Sequence, residues 1–489
     1  MANFSASDQY GPAGAAAGIE PPLYEKQRKI YPQAVRGAFR RAKWVILTVT
    51  LGIYYLLPFV RWDRGPNAPS QAVLVDFPNR RFYFFFIEIW PQEVYYLTGL
   101  LILAALILFL MNAVAGRVWC GYLCPQTVWT DLFYAIERFF EGDRRLRMRH
   151  DKEPVTAALI LRKGAKHITW LVIAWWTGGA WVLYFADAPT LVKQLATFQA
   201  PLMAWIWIAI LTLTTYTLAG FSREQVCTYM CPWPRIQAAL TDEYAFNVAY
   251  RYDRGEPRGS FKKTEALRDA GLAGGDCIDC YQCVAVCPTG VDIRKGLQLD
   301  CIQCGLCIDA CDTVMDKVGR PRKLIAYDTD MNVRRRMWGE HDIKRILRPR
   351  TVGYAALIVL VAALMLTKLV TRETLGMSVI HDRNPIFVRL SDGAIRNAYT
   401  IRIANKELSV RRFSVTVEGV PSARLELVGL PSDPQGQIVE VAHDQTREIR
   451  ALVTTSARLP SGPSLDATFV LTDVDSGATV SATDHFRGP

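Results

Sequence analysis

The chain has 489 residues, 51% hydrophobic and 21% charged, with a mean hydropathy of +0.10, which excludes a disordered or collagen-like polymer. Lysine and arginine number 57 against 46 aspartates and glutamates, a net charge of +11; the total alone suits nucleic acid, an anionic membrane surface or membrane topology equally. The twelve cysteines fall in four short clusters between Cys120 and Cys311, a metal or redox spacing rather than the scattered staples of a secreted disulfide scaffold.

In chain order, the first 22 residues are rich in Ala, Gly and Ser and read as a flexible tail. Five apolar stretches follow that can cross a hydrocarbon core of roughly 30 Å as helices: Trp44 to Val60, Tyr95 to Ala115, Ile168 to Phe185, Pro201 to Phe221 and Val352 to Val370. The first is preceded by a polar segment without a small-residue cleavage site and is expected to remain as an anchor. Residues 1–43 carry seven basic and three acidic side chains, and residues 116–167 carry ten and six. Both are expected on the cytoplasmic side. Five crossings then place the N-terminus inside, the loop 222–351 inside and the C-terminus outside.

After Val370 the pattern changes to short alternating or apolar runs: Tyr399 to Asn405, Phe413 to Gly419, Arg424 to Val428, Gln437 to Ala442, Arg447 to Thr454, Ala467 to Thr472 and Thr479 to Asp484. Seven such strands separated by turn residues fit an immunoglobulin-type β-sandwich, here without a cysteine pair. The expected fold is therefore an α-helical membrane protein of about five transmembrane helices, with a cytoplasmic ferredoxin-like two-cluster insert and a C-terminal immunoglobulin-like β-sandwich. Its parts are an N-terminal tail (1–43), a four-helix membrane region with two C-x3-C-P motifs (44–221), a ferredoxin-type domain (222–351), a fifth helix (352–370) and a periplasmic domain (371–489).

Cys277, Cys280, Cys283 and Cys287 spell C-x2-C-x2-C-x3-C ahead of Pro288, and Cys301, Cys304, Cys307 and Cys311 repeat the spacing. This is the ligand pattern of a two-cluster bacterial ferredoxin, in which the fourth cysteine of each motif serves the other cluster. One 4Fe-4S cluster is thus expected on Cys277, Cys280, Cys283 and Cys311, and the other on Cys301, Cys304, Cys307 and Cys287. Paired zinc knuckles also use C-x2-C, but three cysteines followed by a fourth, twice over, is not zinc ribbon spacing. Asp312 stands where small ferredoxins usually carry proline; no ligand is lost.

Cys120-Gly-Tyr-Leu-Cys124-Pro125 and Cys227-Thr-Tyr-Met-Cys231-Pro232 form an internal repeat, each after a helix running outside to inside. Cysteines four apart are expected on one face of a helical turn at the cytoplasmic rim. Four converging thiolates would be soft ligands for Cu(I), zinc or a further cluster; the bland alternative is a pair of helix terminators with small buried cysteines. His150, His167, His341, His381, His443 and His485 all lie outside the predicted spans and no C-x-x-C-H occurs, so no haem is expected. Glu88, in the aromatic run Phe82 to Trp90, reads as an interfacial residue rather than a proton or quinone contact.

The chain resembles the CcoG, FixG and RdxA family of accessory proteins for cbb3-type cytochrome c oxidase over nearly its whole length. The resemblance rests on Leu23-Tyr-Glu-Lys, Lys29-Ile-Tyr-Pro32, Arg80-Arg-Phe-Tyr83, Trp90-Pro-Gln-Glu93, the segment from Gly116 to Trp129, Glu141-Gly-Asp-Arg144, and the double ferredoxin motif with Gly319-Arg-Pro-Arg322. It implies a cupric reductase of the bacterial inner membrane that supplies Cu(I) for oxidase assembly, with copper as substrate or transient ligand at Cys120, Cys124, Cys227 and Cys231. Oxidase subunits, copper chaperones and a cytosolic electron donor are the implied partners, and a homodimer is an open alternative to a monomer. The outer domain has no cysteine and one methionine, Met377, which fits docking better than copper storage. The rival readings are a ferredoxin-type subunit of a quinol-linked chain and a non-enzymatic redox-sensing scaffold.

Topology also accounts for the charge. The three segments assigned to the cytoplasm hold 38 basic against 27 acidic residues, the whole net charge of +11, so no nucleic-acid partner is needed and an anionic lipid surface is the expected neighbour.

Overall fold

The computed structural model describes residues 29–65, 68–372, 375–407, 409–430, 437–443, 445–456 and 464–488. The expected tail over 1–22 and the Leu23-Tyr-Glu-Lys motif lie outside them. Among the described residues four helices are long and apolar enough to cross a membrane: Ala38–Phe59, Tyr95–Ala115, Leu202–Ser222 and Pro349–Val370. The third expected span belongs to the 26-residue helix Ala157–Val182. It begins well ahead of Ile168 with Arg162, Lys163, Lys166 and His167, and its apolar part is rich in Trp and Gly, which weigh little on transfer scales.

The chain divides into two compact units. One comprises Met1–Thr48, Met111–Ile173 and Thr214–Ile346 and contains all twelve cysteines. Its only paired strands among the described residues, Asn247–Tyr250 and Ile325–Asp328, run antiparallel and bracket both ferredoxin-type motifs in sequence. Val248, Tyr250 and Ile325 from these strands and Leu324 just before the second form a core with Ile308 and Met315 of the helix Leu306–Lys317 and with Cys277, Cys283, Cys301 and Cys311. The cysteines are thus part of the domain's interior, as expected when a short loop-rich segment organises around metal rather than around aliphatic side chains.

The other unit comprises Val49–Leu110, Ala174–Leu213 and Leu347–Pro489. Its C-terminal part is a sandwich of two antiparallel sheets. The first has the order 424–427, 445–455, 395–405, 375–381, with 388–389 also paired to 395–405; the second has the order 438–441, 411–418, 464–473, 479–487. Every one of the seven expected strands is present, and 375–381 and 388–389 are additional. Along Ile395–Asn405 buried positions alternate with less buried ones over almost the whole length, as a strand with one face on the core requires. Tyr399, Phe413, Phe469 and Phe486 are fully buried between the sheets.

This unit also contains a three-stranded meander, Val73–Asp76, Arg81–Phe84 and Ile87–Ile89, in the segment between the first two expected spans. Glu88 lies in its last strand and pairs with Arg81, whose guanidinium sits 3.2 Å from the centre of the Trp90 ring. Its carboxylate is thereby engaged in holding the meander.

Candidate metal and electron-transfer site

The two ferredoxin-type motifs fold by one local rule. The backbone is left-handed at Asp279 and Tyr281 (φ 51° and 56°) in the first, and at Gln303 and Gly305 (φ 55° and 73°) in the second. These stand two and four residues after the first cysteine of each motif, so the repeat in spacing is also a repeat in conformation. Alternating left- and right-handed residues turn successive N–H groups to one side and make a concave nest for an anion, as a thiolate-ligated iron-sulfur cluster demands. The helices Gln282–Ala285 and Leu306–Lys317 then carry Cys283, Cys307 and Cys311.

The fourth cysteine of each motif lies near sulfurs of the other motif. Cys311 lies within electrostatic reach of Cys283, Cys280 and Cys277, while Cys287 lies within reach of Cys301, Cys304 and Cys307 and borders a cavity with them. Burial above all, with repulsion from the neighbouring sulfurs, pushes Cys301 and Cys311 up to about 12 and Cys307 well above its ordinary value. Such thiols lose their protons only to a strong compensating cation. The donor set and the backbone nests fit two 4Fe-4S clusters.

The rim cysteines depart from expectation in one respect: neither pair shares a helical turn. Cys120 lies in the short helix Val118–Tyr122, but Cys124 is extended (φ −61°, ψ 127°) ahead of the helix Pro125–Glu141. Cys227 lies in a π-helical turn, Val226–Met230, and Cys231 is extended behind it (φ −84°, ψ 122°). Pro125 and Pro232 explain both, because proline drives the preceding residue out of the helical region. The two pairs still occupy one neighbourhood. The Cys120 thiol lies within electrostatic reach of Cys124 and Cys231, and Cys227 within reach of Cys124, Cys120 and Cys231. Burial first, and these neighbours second, push Cys120 and Cys227 up to about 12. Among the described residues no three Cys, His, Asp or Glu side chains are grouped closely enough to hold a metal ion, so a shared ion at the rim requires the four thiols to draw together.

The first rim motif rests directly on a cluster loop. A Cβ at Gly121 would stand 2.8 Å from the Ile302 carbonyl oxygen and 3.0 Å from the Cys304 Cα; glycine lets the two backbones touch. The Tyr122 hydroxyl donates to the Cys304 carbonyl at 2.9 Å, and the Arg117 N–H donates to Gln303 Oε1 at 2.8 Å. The Arg117 guanidinium reaches the carbonyls of Leu299, Cys301 and Pro234. Cys120, Cys227 and Cys307 pack together against Ile302, Cys304 and Leu306. Sequence reasoning named the cysteines but not Arg117, Gly121 or Tyr122 as individual contacts; the one available signal was a glycine held between two cysteines of a motif.

Buried charges fix the surroundings. Asp309, two residues after Cys307, accepts from the main-chain N–H groups of Phe39 and Arg40 at 3.2 and 2.7 Å, which anchors the start of the helix Ala38–Leu56. Asp131 takes Arg40 at 2.7 Å and Lys43 at 3.6 Å, and Glu137 takes Arg147 at 2.8 Å and Arg223 at 3.1 Å. Three histidines have local partners: His167 meets the Tyr216 hydroxyl at 3.0 Å, His381 meets Asn397 at 2.7 Å and His485 meets Asp466 at 3.0 Å.

Comparison with known proteins gives three domain matches: a 4Fe-4S dicluster domain over residues 222–330, a 4Fe-4S binding domain over 97–146, and the IG-like fold at the C-terminus of FixG, described as a putative oxidoreductase, over 365–489. The nitrogen fixation protein FixG of Rhizobium meliloti is 48% identical over 91% of this chain and 89% of its own length. RdxA of Cereibacter sphaeroides is 50% identical over 93% of this chain and 94% of its own, and RdxB of the same organism is 48% identical over 95% and 97%. A solved FixG-related protein from Vibrio parahaemolyticus aligns with 24% of this chain and 96% of its own at 22% identity and a TM-score of 0.20.

Proposed function

The chain belongs to the family of FixG, RdxA and RdxB, which carries 4Fe-4S domains for electron transfer, and from that premise we propose that it reduces Cu(II) to Cu(I) for assembly of a cbb3-type cytochrome c oxidase. When bound by the eight ferredoxin-type cysteines, two 4Fe-4S clusters supply one-electron carriers. Cu(II) is held at Cys120, Cys124, Cys227 and Cys231, takes one electron originating from a cytosolic reductant, and leaves as Cu(I). Thiolates favour the softer product ion. The observation that carries this reading is the packing of the first rim motif on the Cys301 to Cys304 loop, with Gly121 against Ile302 and Tyr122 bonded to the Cys304 carbonyl. It leaves no intervening layer between the proposed copper thiols and the nearer cluster ligands.

In this reading residues 1–43, 116–167 and 222–351 face the cytoplasm of a bacterial inner membrane and 371–489 the periplasm, supported by the basic excess of the former segments. The sandwich then docks oxidase subunits or copper chaperones. A second reading follows from the 4Fe-4S binding domain match over 97–146, which includes Cys120 and Cys124: the four rim thiolates hold a further cluster. The test is anaerobic turnover of the purified full-length protein with a chemical reductant, Cu(II) and a Cu(I)-specific chelator, alongside iron analysis. Copper reduction that falls by about tenfold or more in Cys120→Ser and Cys227→Ser, with iron unchanged at about eight per chain, supports copper at the rim. About twelve irons per chain, falling by about four in those variants, supports the further cluster. Unchanged turnover in Ser variants of all four rim cysteines rejects the copper site.

A further inference from the structure

Between the start of the helix Ala38–Leu56, the helix Pro125–Glu141 and the segment around Pro288 lies a cavity of about 670 Å³. Its lining includes four arginines, Arg36, Arg40, Arg41 and Arg138, and one carboxylate, Asp131. Arg40 is only 7% exposed; its Nη1 is taken by Asp131 at 2.7 Å, but its Nη2 has no hydrogen-bond partner. A desolvated guanidinium nitrogen left unpaired is costly. Arg138 is pushed below its ordinary value by burial and by the positive charges of Arg40 and Arg147. The protein thus concentrates guanidinium groups in a concavity where they repel one another, with Asp131 the one carboxylate in the lining and Asp143 a second counter-charge near Arg138.

The chemistry that relieves this is an anion presenting several oxygens. Phosphate esters match the planar fork of arginine better than chloride does, and accept from more than one guanidinium at once. Trp44 also lines the cavity, its ring 4.5 Å from the Arg40 guanidinium, and lies in one of the four apolar helices. An indole beside basic groups at the end of such a helix is the arrangement that receives a lipid headgroup.

We propose that this cavity is a binding site for a phosphate-bearing anion, a phospholipid headgroup or a soluble phosphate ester, held by Arg40 Nη2 and Arg138 and screened by Arg36 and Arg41. The Pro288 wall makes the site contiguous with the segment that carries Cys287, yet the site uses none of the twelve cysteines and is independent of what the rim binds.

The full-length protein with its iron in place, in nanodiscs of phosphatidylcholine doped with phosphatidylglycerol, is compared with a variant carrying Arg138→Gln and Arg36→Gln by native mass spectrometry of retained lipid. A parallel arm uses undoped phosphatidylcholine and adds inorganic phosphate or pyrophosphate, read as a shift in melting temperature. Retention of phosphatidylglycerol by the wild type, weakened about tenfold or more in the variant, supports the proposal with lipid as the source. Protection by phosphate or pyrophosphate that the variant loses supports it with a soluble ester as the source. Equal retention in both proteins, together with no variant-dependent protection by the soluble ions, overturns it. Iron content equal to wild type shows that the variant is folded; if Arg138→Gln lowers iron, the exposed pair Arg36→Gln and Arg41→Gln is used instead, with the same outcomes.

Discussion

At the scale of single residues, the cysteine spacing names eight candidate ligands and predicts a crossed partnership of Cys287 and Cys311, because iron-sulfur ligation imposes a fixed local geometry on short segments. Cys311→Ser is expected to remove about half the iron and the EPR signal of the cluster that Cys277→Ser also abolishes, whereas Cys287→Ser should match Cys301→Ser; the same signal lost in Cys287→Ser and Cys311→Ser alike would contradict the crossing. The contacts of Gly121, Tyr122 and Arg117 were not legible, since their partners, Ile302, Cys304 and Cys301, lie some 180 positions away and nothing local announces them. Gly121→Ala forces a Cβ to 2.8 Å from a main-chain oxygen and should cost about 1–3 kcal/mol, read as a lower melting temperature, while copper turnover drops because the rim and the cluster loop are pried apart. Glu137 faces Arg147 and Arg223 with 3% of its side chain exposed. Glu137→Ala takes this carboxylate from Arg147 and Arg223, and from Lys166 at 3.7 Å, and should destabilise by about 3–5 kcal/mol, measured as a loss of folded protein in denaturant.

At the scale of elements, patterns of period two were read reliably and the rest less so. All seven strands predicted in the C-terminal domain are present because each alternates over a buried face, as Ser464–Asp473 does with Ala467, Phe469 and Leu471 inward. The meander 73–89 was missed because its strands are three or four residues long, too short for alternation to stand out. The π-helical turns at Leu218–Ser222 and Val226–Met230 were missed because they arise from an added residue per turn, which leaves no mark on composition. Phe469→Ala, at the centre of the sandwich, should cost about 3–5 kcal/mol and lower the unfolding temperature of the C-terminal domain without changing iron content. Asp131 ties the first apolar helix to the helix Pro125–Glu141, and although burial opposes ionisation, Lys43 and Arg40 hold its carboxyl below the ordinary range. Its contribution is therefore complete above the unfolded carboxylate value near about 4 and is lost as pH falls through the depressed folded value. Acid unfolding monitored in wild type and Asp131→Asn should show the steeper pH dependence in the wild type; identical acid profiles would sink this assignment.

At the scale of the whole molecule, the proposed topology assigns the net charge of +11 to one side of the membrane, and that sidedness depends on the number of crossings. Among the described residues four helices meet the length and hydropathy of a span, and the helix Ala157–Val182 is the fifth in the proposed topology. Parity makes the difference measurable: five crossings put residues 29 and 488 on opposite faces, four put them on the same face. Alkaline phosphatase joined after the last residue should be active and a fluorescent protein joined there dark, with the reverse at the N-terminus; matching behaviour at both ends would remove the helix Ala157–Val182 from the membrane. In the proposed function, electrons held by the ferredoxin-type cysteines' clusters reach copper at the rim. The direct measurement is an anaerobic, single-turnover addition of Cu(II) to pre-reduced protein freed of excess reductant, with iron-sulfur and Cu(II) EPR followed together. Both iron-sulfur signals are expected to reoxidise with about one Cu(I) formed per electron released, and no such exchange is expected in a Cys120→Ser, Cys227→Ser protein of normal iron content. Iron-sulfur signals that stay reduced while the Cu(II) signal persists would contradict it.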